Sequence, residues 1–395
     1  MIIINVIQYI LLVYLGLSTL YILIFGFSGL FPWRLKIKEA EKQRRFAVMI
    51  PGYKEDEVIL EVAEDATQQN YPEEKFDVIV IADSFKNETL EKLKELPIKL
   101  IEVSFEKSTK AKALNKTMSQ LPDDYYDIAV VLDADNLMEK DFLHKMNLAF
   151  EKGHYAVQGH RIAKNTNNSF AILDAISEEI NNNIFRKGHR VIGLSAAIIG
   201  SGMGIKYDFF KDLMKNIHAV GGFDKEIELK MLKERKSIDY LNHAYVLDEK
   251  VQKADVFSNQ RRRWLSAQLH YFSKDFATAL WHLLSRGNLD YFDKAIQFIQ
   301  PPRIMLLGFL LIICILSIIF NPLAITIAWL AVLASCILAF LFSIPGRFYN
   351  AKTLKAIITL PRGFFLMFLS LLKIRGANKK FIHTQHTSTK QNTQN

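Results

Sequence analysis

A chain of 395 residues, half of them hydrophobic, is too long for one small domain and too apolar for an ordinary soluble one. Its formal charge of +9 gathers beside apolar stretches, where basic side chains meet anionic membrane lipids; no basic face interleaved with aromatics points to nucleic acid. Cys314 and Cys336 share one apolar region, so they build neither a disulfide framework nor a zinc site.

In chain order, residues 2–31 carry no charge and are long enough to cross a hydrocarbon core of ~30 Å. A basic start, a short apolar core and a small-residue cleavage site are all lacking there, so residues 1–33 read as an uncleaved membrane helix rather than a secretory signal. Arg34, Lys36, Lys38, Lys42, Arg44 and Arg45 follow it. The positive-inside rule then places the next domain in the cytoplasm, at the inner face of the cell membrane.

From residue 46 the pattern changes to α/β. "FAVMI" (46–50), "FDVIVIAD" (76–83), "IKLIEVS" (98–104) and "IAVVLD" (128–133) are β-rich runs, separated by helical stretches at 55–69, 88–96 and 109–120. Continuous apolar strands alternating with helices predict a Rossmann-like, mostly parallel sheet covered on both faces. Ligands of such sheets bind beyond the carboxyl ends of the strands. The loops at those ends carry Tyr53 and Glu55, then Asp83, then the pair Asp133 and Asp135. Neighbouring aspartates repel, so a site holding them supplies a compensating cation, and hard oxygen ligands select Mg2+ or Mn2+. Aspartates after a strand are also ordinary turn and cap residues, and Tyr53 could simply pack on the sheet.

Further on, Gly200, Gly202 and Gly204 in "GSGMGIK" (200–206) flank a strand and suit close backbone approach. Asp224 in "GGFDKEIELKML" (221–232) precedes an amphipathic pattern, where an acid favours the positive end of a helix dipole. "QRRRW" (260–264) places Gln260, Arg263 and Trp264 on a helix. A solvated or lipid-facing basic surface and a core aromatic are its plain alternatives. The segment 286–303, aromatic and charged, reads as an interfacial helix. It leads to a membrane hairpin over 304–345, broken at Asn321-Pro322, that returns the chain to the cytoplasm. The segment 356–374 reads as an interfacial or third C-terminal membrane helix, and 376–395 as a disordered tail.

Taken together these stretches resemble the membrane-bound inverting glycosyltransferases of family 2, which include the cellulose, hyaluronan and poly-N-acetylglucosamine synthases. "IPGYKEDE" (50–57), "VIVIADS" (78–84), "TKAKALN" (109–115), Asp133-Ala134-Asp135, "GSGMGIK" and "QRRRW" occur in that family's order over residues 46–285. The resemblance implies a GT-A fold, a UDP-sugar donor and a metal-dependent hexosyl transfer. It implies that Tyr53 packs on uracil with Glu55 near it, and that Asp83 contacts uridine. It further implies that Lys112 lies near the nucleotide, and that Asp133 and Asp135 bind the diphosphate through the metal. Arg263 would face the diphosphate, whereas Gly200, Ser201, Gly202, Gln260 and Trp264 would meet the acceptor. The family has an acidic pair before a helix with the second acid as base. In register that base is Asp224, Phe223 replaces the first acid, and Glu226 is the alternative. The expected acceptor is a growing glycan or a lipid-linked sugar. So narrow a set of spans needs a homo-oligomer or an export partner to thread a polymer. A catalytically silent nucleotide-sugar scaffold is the competing expectation, and a transporter is disfavoured because the spans carry almost no ionisable residues.

Overall fold

The computed structural model describes residues 2–34, 39–217, 219, 221–250 and 254–372. Lys36, Lys38 and the tail expected over 376–395 lie outside the described residues.

The chain enters through α1 (Ile2–Ser28), a helix apolar on every side. Strands β1 (Phe46–Tyr53), β2 (Phe76–Asp83), β3 (Lys99–Val103) and β4 (Ile128–Val131) then alternate with α2 (Ile59–Thr67), α3 (Asn87–Lys94) and α4 (Lys110–Gln120). β2, β3 and β4 fall inside the stretches whose apolar runs predict them, and β1 continues three residues past its predicted end at Ile50, through Pro51 and Gly52 to Tyr53. Thr109 caps α4 by accepting the backbone N–H of Lys112, which fixes where that helix begins. Short β5 (Leu137–Met138) leads to α5 (Phe142–Phe150) and β6 (Ala156–Ala163), and α6 (Ser169–Asn181) is capped by Asn168. A π-helical stretch, Asn182–Gly188, continues into α7 (His189–Ile192). Then come β7 (Met203–Lys206), α8 (Tyr207–Met214), α9 (Phe223–Lys233), β8 (Ile238–Asp248), the long α10 (Ala254–Arg286) and α11 (Leu289–Gln297).

All eight strands form one sheet in the order β3-β2-β1-β4-β7-β6-β8-β5. β3, β2, β1 and β4 run parallel, as do β6 and β8; β7 runs against both its neighbours and β5 against β8. Alternate residues of β1 feed two cores. Ala47 and Met49 pack with Leu114 and Met118 of α4 and Ile227 of α9, whereas Phe46, Val48 and Ile50 pack with Val62 of α2 and Met146 of α5. Both faces are therefore covered, and the sheet is open only at its ends.

Three helices are long and apolar enough to cross a membrane: within α1, α12 (Arg303–Phe320) and α13 (Leu323–Ser343). The last two helices, α14 (Ala351–Ile357) and α15 (Leu360–Leu372), form a pair bent by 45° that would make a fourth span if taken as one. In the stretch expected to lie at the interface, α11 buries Tyr291, Asp293 and Lys294, with Lys294 paired at 2.8 Å to Glu228 of α9.

α1 is tied to the sheet domain by a polar knot. Tyr21 donates to Asp293 Oδ1 at 2.8 Å and lies 2.9 Å from His189 Nε2, which is itself 3.1 Å from Asp293 Oδ2. Phe25 stacks on the His189 ring with centroids 3.7 Å apart. Gly188 permits the approach, since a Cβ there would fall 2.1 Å from the Phe25 carbonyl oxygen.

Candidate active site

Parallel register sets the first residues of the site side by side. Tyr53 pairs with Asp83 at the carboxyl ends of β1 and β2, and Lys54 N–H donates to the Asp83 carbonyl at 3.1 Å. Asp83 is 2% exposed and accepts from the Ser84 hydroxyl at 3.0 Å; Glu55 is also buried. Tyr53, half-buried, has Lys54 Nζ over its ring at 5.3 Å.

Beyond β4 the acid pair is held by side chains of the next loops. The Asp133 N–H donates to Ser201 Oγ at 2.9 Å, and Ser201 Oγ donates to Asn136 Oδ1 at 2.5 Å. Fully buried Asn136 turns its amide to Asp135 Oδ1 and to Asp248 Oδ1, each at 3.1 Å. Asp133, Asp135 and Asp248 thus bring carboxylate oxygens within 4.8 Å of one another. Three hard anionic oxygens on fixed loops fit a small divalent ion such as Mg2+ or Mn2+. Asp248 ends β8, and neither it nor Asn136 stands out in the sequence.

Cations already surround these acids. Lys110 Nζ lies 2.5 Å from Asp133 Oδ1, Arg161 lies 3.7 Å from Asp248 and 3.9 Å from Asp133, and Lys250 lies 2.6 Å from Asp248. Arg161 also pairs with Glu178 of α6 at 2.8 Å, and Arg186 pairs with the same acid at 3.2 Å. Burial pushes the Glu178 carboxyl up, but Arg161, Lys250 and Arg186 outweigh it and hold the group well below the ordinary carboxylate range. Asp248 is depressed in the same way: burial raises it, and Arg161 and Lys250 more than reverse the rise.

The "GSG" loop runs from this cluster to Asp224. Gly200 and Gly202 have φ of +73° and +61°, and Gly202 N–H donates to the Val131 carbonyl at 2.8 Å. A Cβ on Gly200 would lie 3.0 Å from the Phe223 ring and 3.5 Å from Asp224 Cβ, so the loop abuts the first turn of α9. Lys110 spans the junction, donating to the Gly200 carbonyl at 2.7 Å and standing 5.3 Å over Phe223. Glu226 is instead engaged by Lys230 at 3.2 Å.

The structure does not bring every expected residue to this cluster. Lys112 is exposed and donates to the Lys107 carbonyl at 2.8 Å; Lys110, two residues earlier, is the lysine on the acids. On α10, Ala267 and Tyr271 pack at Gly222, and Arg263 lies one turn before Ala267 on that face. Burial pushes the Arg263 guanidinium down. Gln260 and Trp264 lie on the next face: the Gln260 Oε1 atom is buried without a partner among the described residues. Trp264, 39% exposed, lies under Arg261 at 4.2 Å.

Residues 43–267 match the family described as glycosyltransferase like family 2. The chain belongs to this family. Its sheet and flanking helices form the GT-A fold. Among solved structures it is similar to the mannosyltransferase PcManGT of Pyrobaculum calidifontis in complex with GDP-Man and Mn2+. The identity there is 15% and the TM-score 0.49, over 91% of this chain and 98% of that one. It is also similar to S. aureus TarS 1–349, at 16% identity and TM-score 0.41, over 81% and 91% of the two chains. Glucosyl-3-phosphoglycerate synthase of Mycobacterium tuberculosis, in complex with Mn2+ and UDP, matches at 14% identity and TM-score 0.41, over 57% and 79%. No curated protein sequence matches this chain.

Proposed function

We propose that this family 2 glycosyltransferase moves a hexose from a UDP-sugar to a growing glycan at the cytoplasmic face of the cell membrane, with inversion at the anomeric carbon. What carries the reading is the junction of two acidic elements at the carboxyl edge of the sheet. The Asp133, Asp135 and Asp248 cluster lies on one side of Gly200 and Asp224 on the other.

Tyr53 and Asp83 sit side by side where the uracil and ribose would lie, and Asp133 and Asp135 face the diphosphate. A divalent ion held by those acids would neutralise charge on the departing diphosphate. Arg263 adds a charge-assisted donor to the phosphate oxygens. Asp224 accepts the proton of the acceptor hydroxyl as its oxygen attacks the anomeric carbon from the face opposite the diphosphate. The new C–O bond forms as the old one breaks, and UDP leaves. Asp224 rather than Glu226 takes the base role because Glu226 is occupied by Lys230. Trp264 and Gln260 supply an aromatic face and an amide oxygen without a partner among the described residues, both suited to a sugar ring.

Membranes containing the chain, given each candidate UDP-sugar with and without Mn2+, should release UDP only when the matching donor and the metal are both present. Donor binding without UDP release from any of them would instead make the domain a silent scaffold. Mass analysis of the product separates a polymer from a single addition.

A further inference from the structure

Four residues of α6, Phe170, Asp174, Ser177 and Asn181, follow one another at helical spacing and share one face. All four are partly open to solvent, whereas Ala171, Ile172, Ala175, Ile176, Glu178, Glu179 and Ile180 are buried. Three arginines from three different helices come down on this stripe. Arg261 of α10 pairs with Asp174, and Arg303 at the start of α12 donates to Asn181 Oδ1 and, at 2.9 Å, to Ser177 Oγ. Arg362 of α15 stands 5.7 Å over the Phe170 ring. α15 and α12 meet here, because a Cβ on Gly363 would lie 2.9 Å from Ile304 Cδ1.

Of the carboxylates, Asp174 is the one on that stripe. Arg303 spends its hydrogen bonds on neutral oxygens, and Arg362 lies over an aromatic face. Glu178 behind the stripe also faces Arg303 but is already shared by Arg161, Arg186 and Lys250, so three guanidinium groups around Asp174, two of them partly removed from water, leave a local excess of positive charge that an anion would relieve. Its depth in the fold selects the kind of anion. Arg303 is the first residue of a helix apolar enough to span a membrane, so the stripe lies where phosphates of a bilayer lie. An apolar cluster of Leu265, Met305 and Met367, with Phe368 and Leu371 packed on it, continues from the stripe between α10, α12 and α15.

We infer that Arg261, Arg303 and Arg362 form a binding site for the phosphate monoester head of a membrane lipid, whose chains run along α12 and α15. The site borders the catalytic cluster, since Glu178, the neighbour of Ser177, is the partner of Arg161. The binding step does not depend on the proposed transfer and is read without turnover.

The full chain in nanodiscs of phosphatidylcholine doped with phosphatidic acid, analysed by native mass spectrometry, should retain phosphatidic acid about tenfold over phosphatidylcholine. One lost charge-assisted contact is worth about tenfold, so Arg362→Gln, an exposed position, should remove most of that preference, and Arg303→Gln should do the same where the chain still folds. Lys352→Gln, an exposed charge on α14, should keep it. Equal retention of the two lipids by the unaltered chain, or equal loss in Arg362→Gln and Lys352→Gln, would overturn the site in favour of diffuse surface charge. Inorganic phosphate displacing the lipid at millimolar concentration would overturn the lipid as its source.

Discussion

Lys110 Nζ lies 2.5 Å from Asp133 Oδ1 and 2.7 Å from the Gly200 carbonyl oxygen, so one ammonium joins the acid pair to the loop that touches Asp224. The carboxylate it engages is one of the three able to hold a divalent ion. A metal entering there must compete with this lysine. Lys110→Met should therefore tighten Mn2+ binding about fivefold, the equivalent of the ~1 kcal/mol of a partly exposed ion pair. Calorimetric titration of the purified chain checks it, and weaker binding would make the lysine a support of the site.

Asp224 and Glu226 share the first turn of α9, but Lys230 engages only the second. Asp224→Asn should lower transfer by about 10²–10⁴, the range of a lost general base, with membrane insertion unchanged. Glu226→Gln should keep most of the activity. The reverse pattern in UDP release would move the base.

Acid should destabilise the domain through its buried ion cluster. Glu178 and Asp248 are both held below their ordinary carboxylate values, so the folded chain binds fewer protons there than the unfolded one. That contribution is complete above the unfolded values of about 4 and is lost as the pH falls below them. The melting temperature should stay level from neutral pH to about 5 and then drop. Glu178→Gln should reduce that acid limb and cost about 3–5 kcal/mol at neutral pH, because Arg161 and Arg186 lose their shared partner.

At Gly200 the left-handed backbone strains any side chain, and a methyl group would sit 3.0 Å from the Phe223 ring, which must yield by a few tenths of an ångström. Gly200→Ala should displace the Phe223-Asp224 turn and lower the turnover number about tenfold to a hundredfold, more than it raises the KM for donor, since sub-ångström placement of reacting groups governs the rate. A change confined to KM would place the loop at the donor instead.

The strand ends are legible in the sequence because β1, β2 and β4 are buried apolar runs, and Tyr53, Asp83 and Asp133 lie at or just beyond their carboxyl ends. β6 and β8 were not legible. They bury Gln158, His160 and Asp239, which serve hydrogen bonds and ion pairs inside the sheet, so the apolar pattern that marks a strand is broken. Asp248 was hidden with β8. The choice between Lys110 and Lys112 depended on helix phase: the Thr109 cap sets α4 so that the first lysine reaches the acids, and no local property of "TKAKALN" distinguishes the two. The Arg161–Glu178 pair joins elements 17 residues apart through burial alone.

The knot of Tyr21, His189 and Asp293 bears on how the enzyme can be handled. Removing the first helix would strip the phenol and the Phe25 ring from an imidazole and a carboxylate that are otherwise sealed inside the protein. A shortened, water-soluble form would then open an ionic wound at its base. The first helix is thus part of the domain's packing, and studies of catalysis should begin from detergent or lipid rather than from a trimmed fragment.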